Sequence, residues 1–497
     1  MSTAGVIEAG PNDWVDRVKS ARDGATIRLR SDLPYSPAHV AGISHPAGNP
    51  VVVDAGRAIF SRGMSLDAFK PIAAETARRA HLEGRYPGIY PIADQCTLRL
   101  TKCNGLTLRN FRFEDSWPTA VYLDDCTDIR FEGFTITGST FAFYAVGKQT
   151  AQLALESCFW QQDPQPFTLW KRTLWREIHE KYPDNEVDRY NGNRAFDGSF
   201  FLGREIAGDV EISHCAVAHA FNGVHFFNQD LDPALSRNVH VHDCTFSYIR
   251  DNALEPENVA YNWWFHDNTI FNCHKRLSLE VPAGGWYYIY RNRAWFDDIG
   301  GPSNESNNGG GVFKFLDNEQ WPLRYPGSVE VFNNSWHINC PIAKSGAIAR
   351  LHHHNNAITF CSKVRKPGTP CKNPSVFGKP NDAHFTTQWG ALDITFVNDY
   401  VWHDDWPDKL KATGYPGLAG IGEDPGFVDP GGGNFLLRSV ASARDKGRAT
   451  SVFLPDGTSW RPAKDFNVGW HQDDASVFAD LRYQRLPNEK PGPLPKE

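Results

Sequence analysis

Several features are missing from this 497-residue chain, and each absence narrows what it can be. No run of about 18 apolar residues occurs, which excludes an ordinary membrane-spanning helix. Blocks of Lys and Arg are absent and the formal net charge is −7, so a nucleic-acid partner, which needs clustered cations, is not expected. The ten cysteines include no C-x-x-C pair, which argues against a zinc ribbon and, at this length, against a disulfide framework. Most stand singly before a β-type residue, as in "SHCAV" and "HDCTF", and read as small buried apolar side chains. Cys361 and Cys371 are the one pair close enough to suggest a loop disulfide. The start, "MSTAGVIEAGPNDWVDR", has neither the basic nor the apolar region of a secretory leader. The expectation is a cytoplasmic protein, or a secreted or periplasmic one whose leader has been removed.

Helical periodicity is also nearly absent. What is present instead is repetition. A short pattern of alternating β-type residues, a polar residue and then Asn, Cys or Gly recurs in "LTLRNFRF", "IRFEGFTI", "LALESCFW", "VEISHCAV", "VHVHDCTF", "WWFHDNTI", "YIYRNRAW", "VEVFNNSW", "LHHHNNAI" and "ITFVNDYV". Anchored on Asn110, Gly133, Cys158, Cys215, Cys244, Asn268, Asn292, Asn334, Asn356 and Asp399, the steps are 23, 25, 57, 29, 24, 24, 42, 22 and 43 residues. The shorter steps, with short strands and no leucine framework, predict an all-β fold, a single-stranded right-handed parallel β-helix. The longer steps mark loop or helix insertions. Stacked coils place equivalent residues one above another, so the Asn anchors should form a hydrogen-bonded ladder at a corner.

The predicted organisation is an N-terminal cap with entry coils over 1–95, the β-helix over 96–450 and a C-terminal tail over 451–497, which from about 465 onward is Pro-rich and wraps the outside or stays loose. Insertions fall at 159–208, with one amphipathic helix, and at 296–311.

The entry segments "ARDGATIRLRSDLPY" and "NPVVVDAGRAIFSRG" and the closing "EDPGFVDPGGGNFLLRSVASARDKG" resemble those of bacterial right-handed parallel β-helix proteins, the pectate-lyase-like superfamily. That group holds lyases, glycoside hydrolases, esterases, epimerases and phage depolymerases, so the resemblance implies carbohydrate chemistry without choosing a reaction.

Strand alternation proposes where a site lies. In "ALEPE" Leu254 and Pro256 point in, and Glu255 and Glu257 point out. In "RLSLEVP" Leu277, Leu279 and Val281 point in, and Ser278 and Glu280 point out. Extending this to neighbouring coils gives an outward column of Tyr122, Tyr144, one unassigned coil, His225, Glu255, Glu280 and Lys314. Crowded carboxylates on adjacent rungs call for a metal, a bridging cation or a shared proton; a plain solvated surface is the alternative. The expected catalytic residues are Glu255, Glu280, Glu257 and Asp251. His225, Asn222, Tyr248, Trp263, Trp286, Lys275, Arg276 and Lys314 are expected to bind substrate, since flat Trp and Tyr faces suit sugar rings.

Three chemistries compete. Paired carboxylates fit glycoside hydrolysis. The E-x-E pair followed by "DNTIF" is similar to the alginate lyase and chondroitinase B family, which implies calcium at Glu255 and Glu257, a Lys base and an assisting Arg. Here "NVAYN" lacks the Lys, and Glu280 stands at the Arg position. The third reading is a non-catalytic glycan-binding solenoid. Two other motifs read as structural: "LDDCTD" around Asp124 and Asp125 as a turn, and His352 to His354 as alternating strand residues rather than a metal cluster.

Overall fold

A computed structural model describes residues 5–179, 192–297, 312–315, 328–338, 350–360, 393–403, 423–462, 464 and 466–486. Two compact units are present: Met1–Phe227 with Ser247–Asn252, and Asn228–Phe246 with Ala253–Glu497. Among the described residues no helix is long and apolar enough to cross a membrane.

Each unit is a stack of parallel β-helix coils with three sheets, A, B and C, met in that order along each coil. In the first unit, sheet A contains Cys96–Thr101, Thr119–Asp124, Phe141–Val146, Ser199–Arg204 and Asn222–Phe227. Sheet B runs through Val6–Ala9, Thr26–Leu29, Val51–Asp54, Asn104–Arg109, Thr127–Glu132, Ala151–Glu156 and Gly208–Ser213. Sheet C holds Ile59–Met64, Arg112–Ser116, Thr135–Thr137, Phe159–Gln161 and Ala216–Ala220. Short strands separated by tight corners account for the short repeat. Corner residues such as Asn110, Gly133, Ser157 and His214 have φ between 55° and 66°, a left-handed conformation in which Gly and Asn are strained least.

The core is built from aligned columns. Leu98, Val121, Phe143, Phe201 and Val224 stack inward from sheet A. Ile27, Val53, Leu108, Phe131, Leu155 and Ile212 do so from sheet B. Phe60, Phe113, Ile136, Trp160 and Val217 complete the third side. Each such side chain contributes about 1.5–3 kcal/mol on burial. On the outer face of sheet B the same alternation leaves exposed ion pairs, Arg109 with Glu132 at 2.5 Å and Arg130 with Glu156 at 3.0 Å.

In the second unit, sheet B contains Arg237–His242, the ends of Thr245–His266 and Thr269–Tyr290, Val329–Phe332, Arg350–His354 and Asp393–Val397. Sheet C contains the start of Thr269–Tyr290, Arg293–Trp295, Ser335–Ile338, Ala357–Phe360 and Tyr400–His403. At the corner between them lies the ladder the repeat implied. Asn268 Nδ2 donates to Asn292 Oδ1 at 3.1 Å, Asn292 to Asn334 at 3.0 Å, Asn334 to Asn356 at 2.9 Å and Asn356 to Asp399 Oδ1 at 3.0 Å. Every member is fully buried, and each Asn also donates to a backbone carbonyl of the preceding rung.

Several expectations change. The anchors are not all equivalent: Asn110 and Gly133 stand one residue before the buried corner column. They occupy the left-handed corner position, and Phe111 and Phe134 stand where Cys158 and Cys215 follow. Corner and column residues are adjacent in sequence, so a pattern search slips between them. A 17-residue helix, Leu66–Leu82, lies where almost no helicity was expected. Ser65 caps it, accepting from Ala68 N at 3.3 Å, and Phe69, Ala73, Ala77 and Ala80 form its buried stripe. Three of those four are alanines, which give a weak hydrophobic pattern. Among the described residues of the 159–208 insertion are two short helices, Thr168–Arg172 and Trp175–His179.

The described part of the C-terminal segment packs down. Tyr288 Oη donates to Phe453 O at 2.7 Å, Asn262 Nδ2 to Gln484 O at 2.7 Å, and Leu486 N to Asn238 Oδ1 at 2.9 Å. Among the described cysteines all seven are free thiols. Cys361 and Cys371 lie outside the described residues.

Candidate active site

In the first unit, register on sheet A aligns Arg99, Tyr122, Tyr144, Leu202 and His225 on successive rungs, all on the side opposite the core column. The unassigned coil is therefore Leu202. This face is not open along its length. Tyr144 and Leu202 are covered by Phe69 and Ala73 of the helix, by Leu169 and Ile178 of the short insertion helices, and by Ala195 and Phe196. The Tyr122 and Tyr144 rings stack at 5.4 Å, and burial pushes both phenols up, so they stay protonated. The described insertion residues thus cover this stretch of the face with apolar packing.

The other first-unit candidates make the following contacts. Asn222 Oδ1 accepts from Asn252 N at 2.8 Å. Asp251 is buried, and its backbone N–H donates to Phe221 O at 2.8 Å. Tyr248 stacks on His219 at 4.7 Å, edge-on to Phe167 and Trp170, and so packs among the insertion residues. Arg250 is fully buried nearby, donating to Thr173 O at 3.1 Å.

The second unit gathers most of the expected acids and cations. The strands Thr245–His266 and Thr269–Tyr290 are adjacent, since Thr269 N donates to Cys244 O and Gly284 packs against Ala260 O. The same offset carried along the strands sets Glu255 beside the Leu279–Glu280 step of the next rung. That rung pairs in turn with Phe313–Phe315, with Leu277 opposite Phe313 and Ser278 opposite Lys314. Lys314 thus faces Ser278 rather than Glu280, a shift of one outward position from the expected column. The side chain of Glu280 lies outside the described residues.

Burial distinguishes this patch. Leu254, Leu277 and Leu279 are inward and buried, as alternation requires. Glu255, although outward, is only 4% exposed; Lys275 is 5% and Arg276 0% exposed, while Glu257 and Lys314 are half-buried. Each of these five charged residues is engaged with a partner. The Arg276 guanidinium lies 4.2 Å from the centroid of Phe296. Taking an ion out of water costs several kcal/mol, so a carboxylate and two cations buried on neighbouring rungs make this patch the candidate site.

Two expected sugar platforms are not on this face. Trp263 pairs with Val239, points into the core at 1% exposure and donates Nε1–H to Ser236 O at 2.9 Å. Trp264 is the outward residue of that pair, and the C-terminal segment covers it. Trp286 packs against Val259, Tyr261 and Leu486. One-residue parity decides which Trp faces out, and the repeated Trp-Trp pair gave no way to choose.

Calcium takes six to eight oxygen ligands. Glu255 and Glu257 would supply carboxylates, but among the described residues no third His, Cys, Asp or Glu converges with them. The chemistry below is argued from the side chains alone.

Compared with known proteins, the chain matches no family model and no curated protein. Among solved structures it is similar to the GH136 lacto-N-biosidase from Eubacterium ramulus, with 10% identity, TM-score 0.41, 80% of this chain and 67% of that one covered. It is similar to pectate lyase Pel9A, with 10% identity, TM-score 0.37 and 95% and 98% covered. The PL6 family alginate lyase AlyGC shows 10% identity and TM-score 0.44 over 92% of this chain and 55% of its own length. At such values no residue role passes from them to this chain.

Proposed function

We propose that this chain is a carbohydrate-active enzyme that cleaves a polysaccharide or oligosaccharide by glycoside hydrolysis. The observation that carries the reading is Glu255, an outward carboxylate held at 4% exposure beside the Leu279–Glu280 step of the next rung, a strand that also carries the buried Lys275 and Arg276. Hydrolysis needs one carboxyl group to protonate the leaving oxygen and a second to act as nucleophile or to activate water. Glu255 is assigned the acid–base role. Its partner is Glu280 on the adjacent rung or Glu257 two residues along the same strand. Rungs are about 4.8 Å apart, close to the separation of retaining enzymes, whereas residues two apart on a strand are about 6.6 Å apart, within the inverting range. The anomeric configuration of the first product separates these two assignments. Lys275, Arg276 and Lys314 position the glycan by donating to its hydroxyl or carboxylate oxygens.

Buried Lys275 and Arg276 support a second reading, β-elimination on a uronate glycan with Lys275 as base. One assay distinguishes the two. The protein is incubated with neutral and uronic-acid polysaccharides, and new reducing ends are read together with the ultraviolet absorbance of an unsaturated uronate. Reducing ends alone support hydrolysis. Both signals mean elimination and overturn the first assignment. Glycan binding without either signal would instead make the chain a binding solenoid.

A further inference from the structure

The motif "LDDCTD", a turn by its sequence, has a counterpart one rung earlier in "LTKCNG". Register fixes the correspondence. Leu100 pairs with Leu123 and Thr101 with Asp124 on sheet A, and Asn104 pairs with Thr127 on sheet B. Cys103 and Cys126 therefore stand opposite each other at the corner between these sheets, within the first unit. Lys102 and Asp125, which precede them, have φ of 51° and 50°, so both cysteines leave the corner in the same direction. Each Sγ lies 3.4 Å from the carbonyl oxygen two residues before it, that of Thr101 for Cys103 and that of Asp124 for Cys126.

Stacking puts the two Cα atoms about 4.8 Å apart, the spacing of rungs, and a disulfide spans Cα separations of about 4.4–6.8 Å. The two sulfurs are in hydrogen-bonding contact, with the Cys126 S–H serving Cys103. That bond, assisted by the backbone at Ile43, Thr101 and Gly42, holds Cys103 below the ordinary thiol range although burial opposes it, and the same bond pushes Cys126 up. A thiolate beside a protonated thiol is the pairing of a nucleophilic cysteine with a resolving one. The pair is shallow. Cys103 and Cys126 are 1% and 0% exposed, but Lys102 is exposed, and Asn104, Asp124, Asp125 and Thr127 are half-buried. One layer of side chains separates the sulfurs from solvent, so an oxidant must be about the size of water. Cys158 and Cys215 also stand opposite each other on adjacent rungs, but Cys158 is enclosed further, and burial is the first cause that pushes its thiol up.

We infer that Cys103 and Cys126 are a redox modification site, a dithiol that hydrogen peroxide converts into a disulfide between two rungs of the first unit. Cys103 Sγ attacks one peroxide oxygen, the O–O bond breaks, and the departing hydroxide takes up the proton that Cys103 released, giving water. Cys103 is left as a sulfenic acid. Cys126 Sγ then attacks Cys103 Sγ. The S–S bond forms, the S–O bond breaks, and a second water leaves with the Cys126 proton. Two electrons pass from the two thiols to one peroxide. The bond fastens one coil to the next and uses neither a glycan nor the carboxylates of the second unit.

The test uses the full chain, reduced, freed of reductant and treated with hydrogen peroxide. After quenching, the chain is denatured, its remaining thiols are alkylated, and its peptides are mapped by mass spectrometry. The peptides carrying Cys103 and Cys126 should appear joined, lighter by two hydrogens than the reduced pair, and should separate on treatment with dithiothreitol. In Cys126→Ala, Cys103 should stop at the sulfenic acid and be captured by dimedone. In Cys103→Ala, Cys126 should remain a thiol. Circular dichroism checks that the variants fold, and the map of the parent chain stands without them. Recovery of Cys103 and Cys126 from the treated parent as thiols, or as separately oxidised residues, overturns the proposal. So does a crosslink between Cys158 and Cys215 with Cys103 and Cys126 still reduced.

Discussion

Acidification should unfold this protein through a histidine that has no part in the proposed chemistry. His354 is 3% exposed, its ring stacked on Phe332 at 5.2 Å. Burial, reinforced by His353 and His352, pushes it down to about 3. Glu330 Oε2, 3.9 Å from His354 Nε2, would favour a charged ring, but Glu330 is itself fully buried and already bonded to Ser328 and His352. In the unfolded chain the same histidine returns to about 6.5. The folded state therefore binds fewer protons between these values. The stability this group contributes is complete above about 6.5 and is lost as pH falls below it toward 3. Between pH 7.5 and 5 the loss is about 2 kcal/mol for this one group. Burial also holds His240 and His266 below their ordinary value, so the whole chain loses more than this. Those contributions cancel when His354→Phe, which keeps the stack, is compared with the parent by guanidinium unfolding at both pH values. The parent should lose about 2 kcal/mol more than the variant on acidification, the amount linkage assigns to this one group. Parallel stability profiles for parent and variant would refute the reasoning.

Other outcomes follow from the same geometry. Glu255→Gln should lower turnover by about 10²–10⁴-fold without changing the unfolding midpoint much, read by reducing-end release and thermal melting. Trp263→Ala should cost about 3–5 kcal/mol of stability, because the ring is core and not a sugar platform; a loss of glycan affinity with unchanged stability would contradict its inward position. Asn292→Ala leaves buried ladder partners without donors or acceptors and should cost about 1–3 kcal/mol in denaturant unfolding.

The β-helix was legible because repetition leaves a mark that single strands do not. Asn268, Asn292, Asn334 and Asn356 each recur at the corner after an alternating strand, and stacking makes one residue's preference every rung's preference. The outward sequence Tyr122, Tyr144 and His225 followed from parity alone. The stacked thiols of Cys103 and Cys126 went unnoticed, although "LTKCNG" and "LDDCTD", one coil apart, were their signal, because each looked like an ordinary corner.

What the sequence determined by itself was local and periodic: strand parity, corner residues, coil length and the placement of Glu255 on an outward face. What only the tertiary structure decided was which outward faces remain outside. The helix Leu66–Leu82 and the insertion helices cover Tyr144 and Leu202, and the C-terminal segment covers Trp264 and Tyr288. Register across an insertion was likewise decided in three dimensions, since Lys314 settles opposite Ser278. Periodicity constrains each rung against its neighbours, but a segment that folds back over the coils is selected by the shape of the whole surface, and no local pattern carries that information.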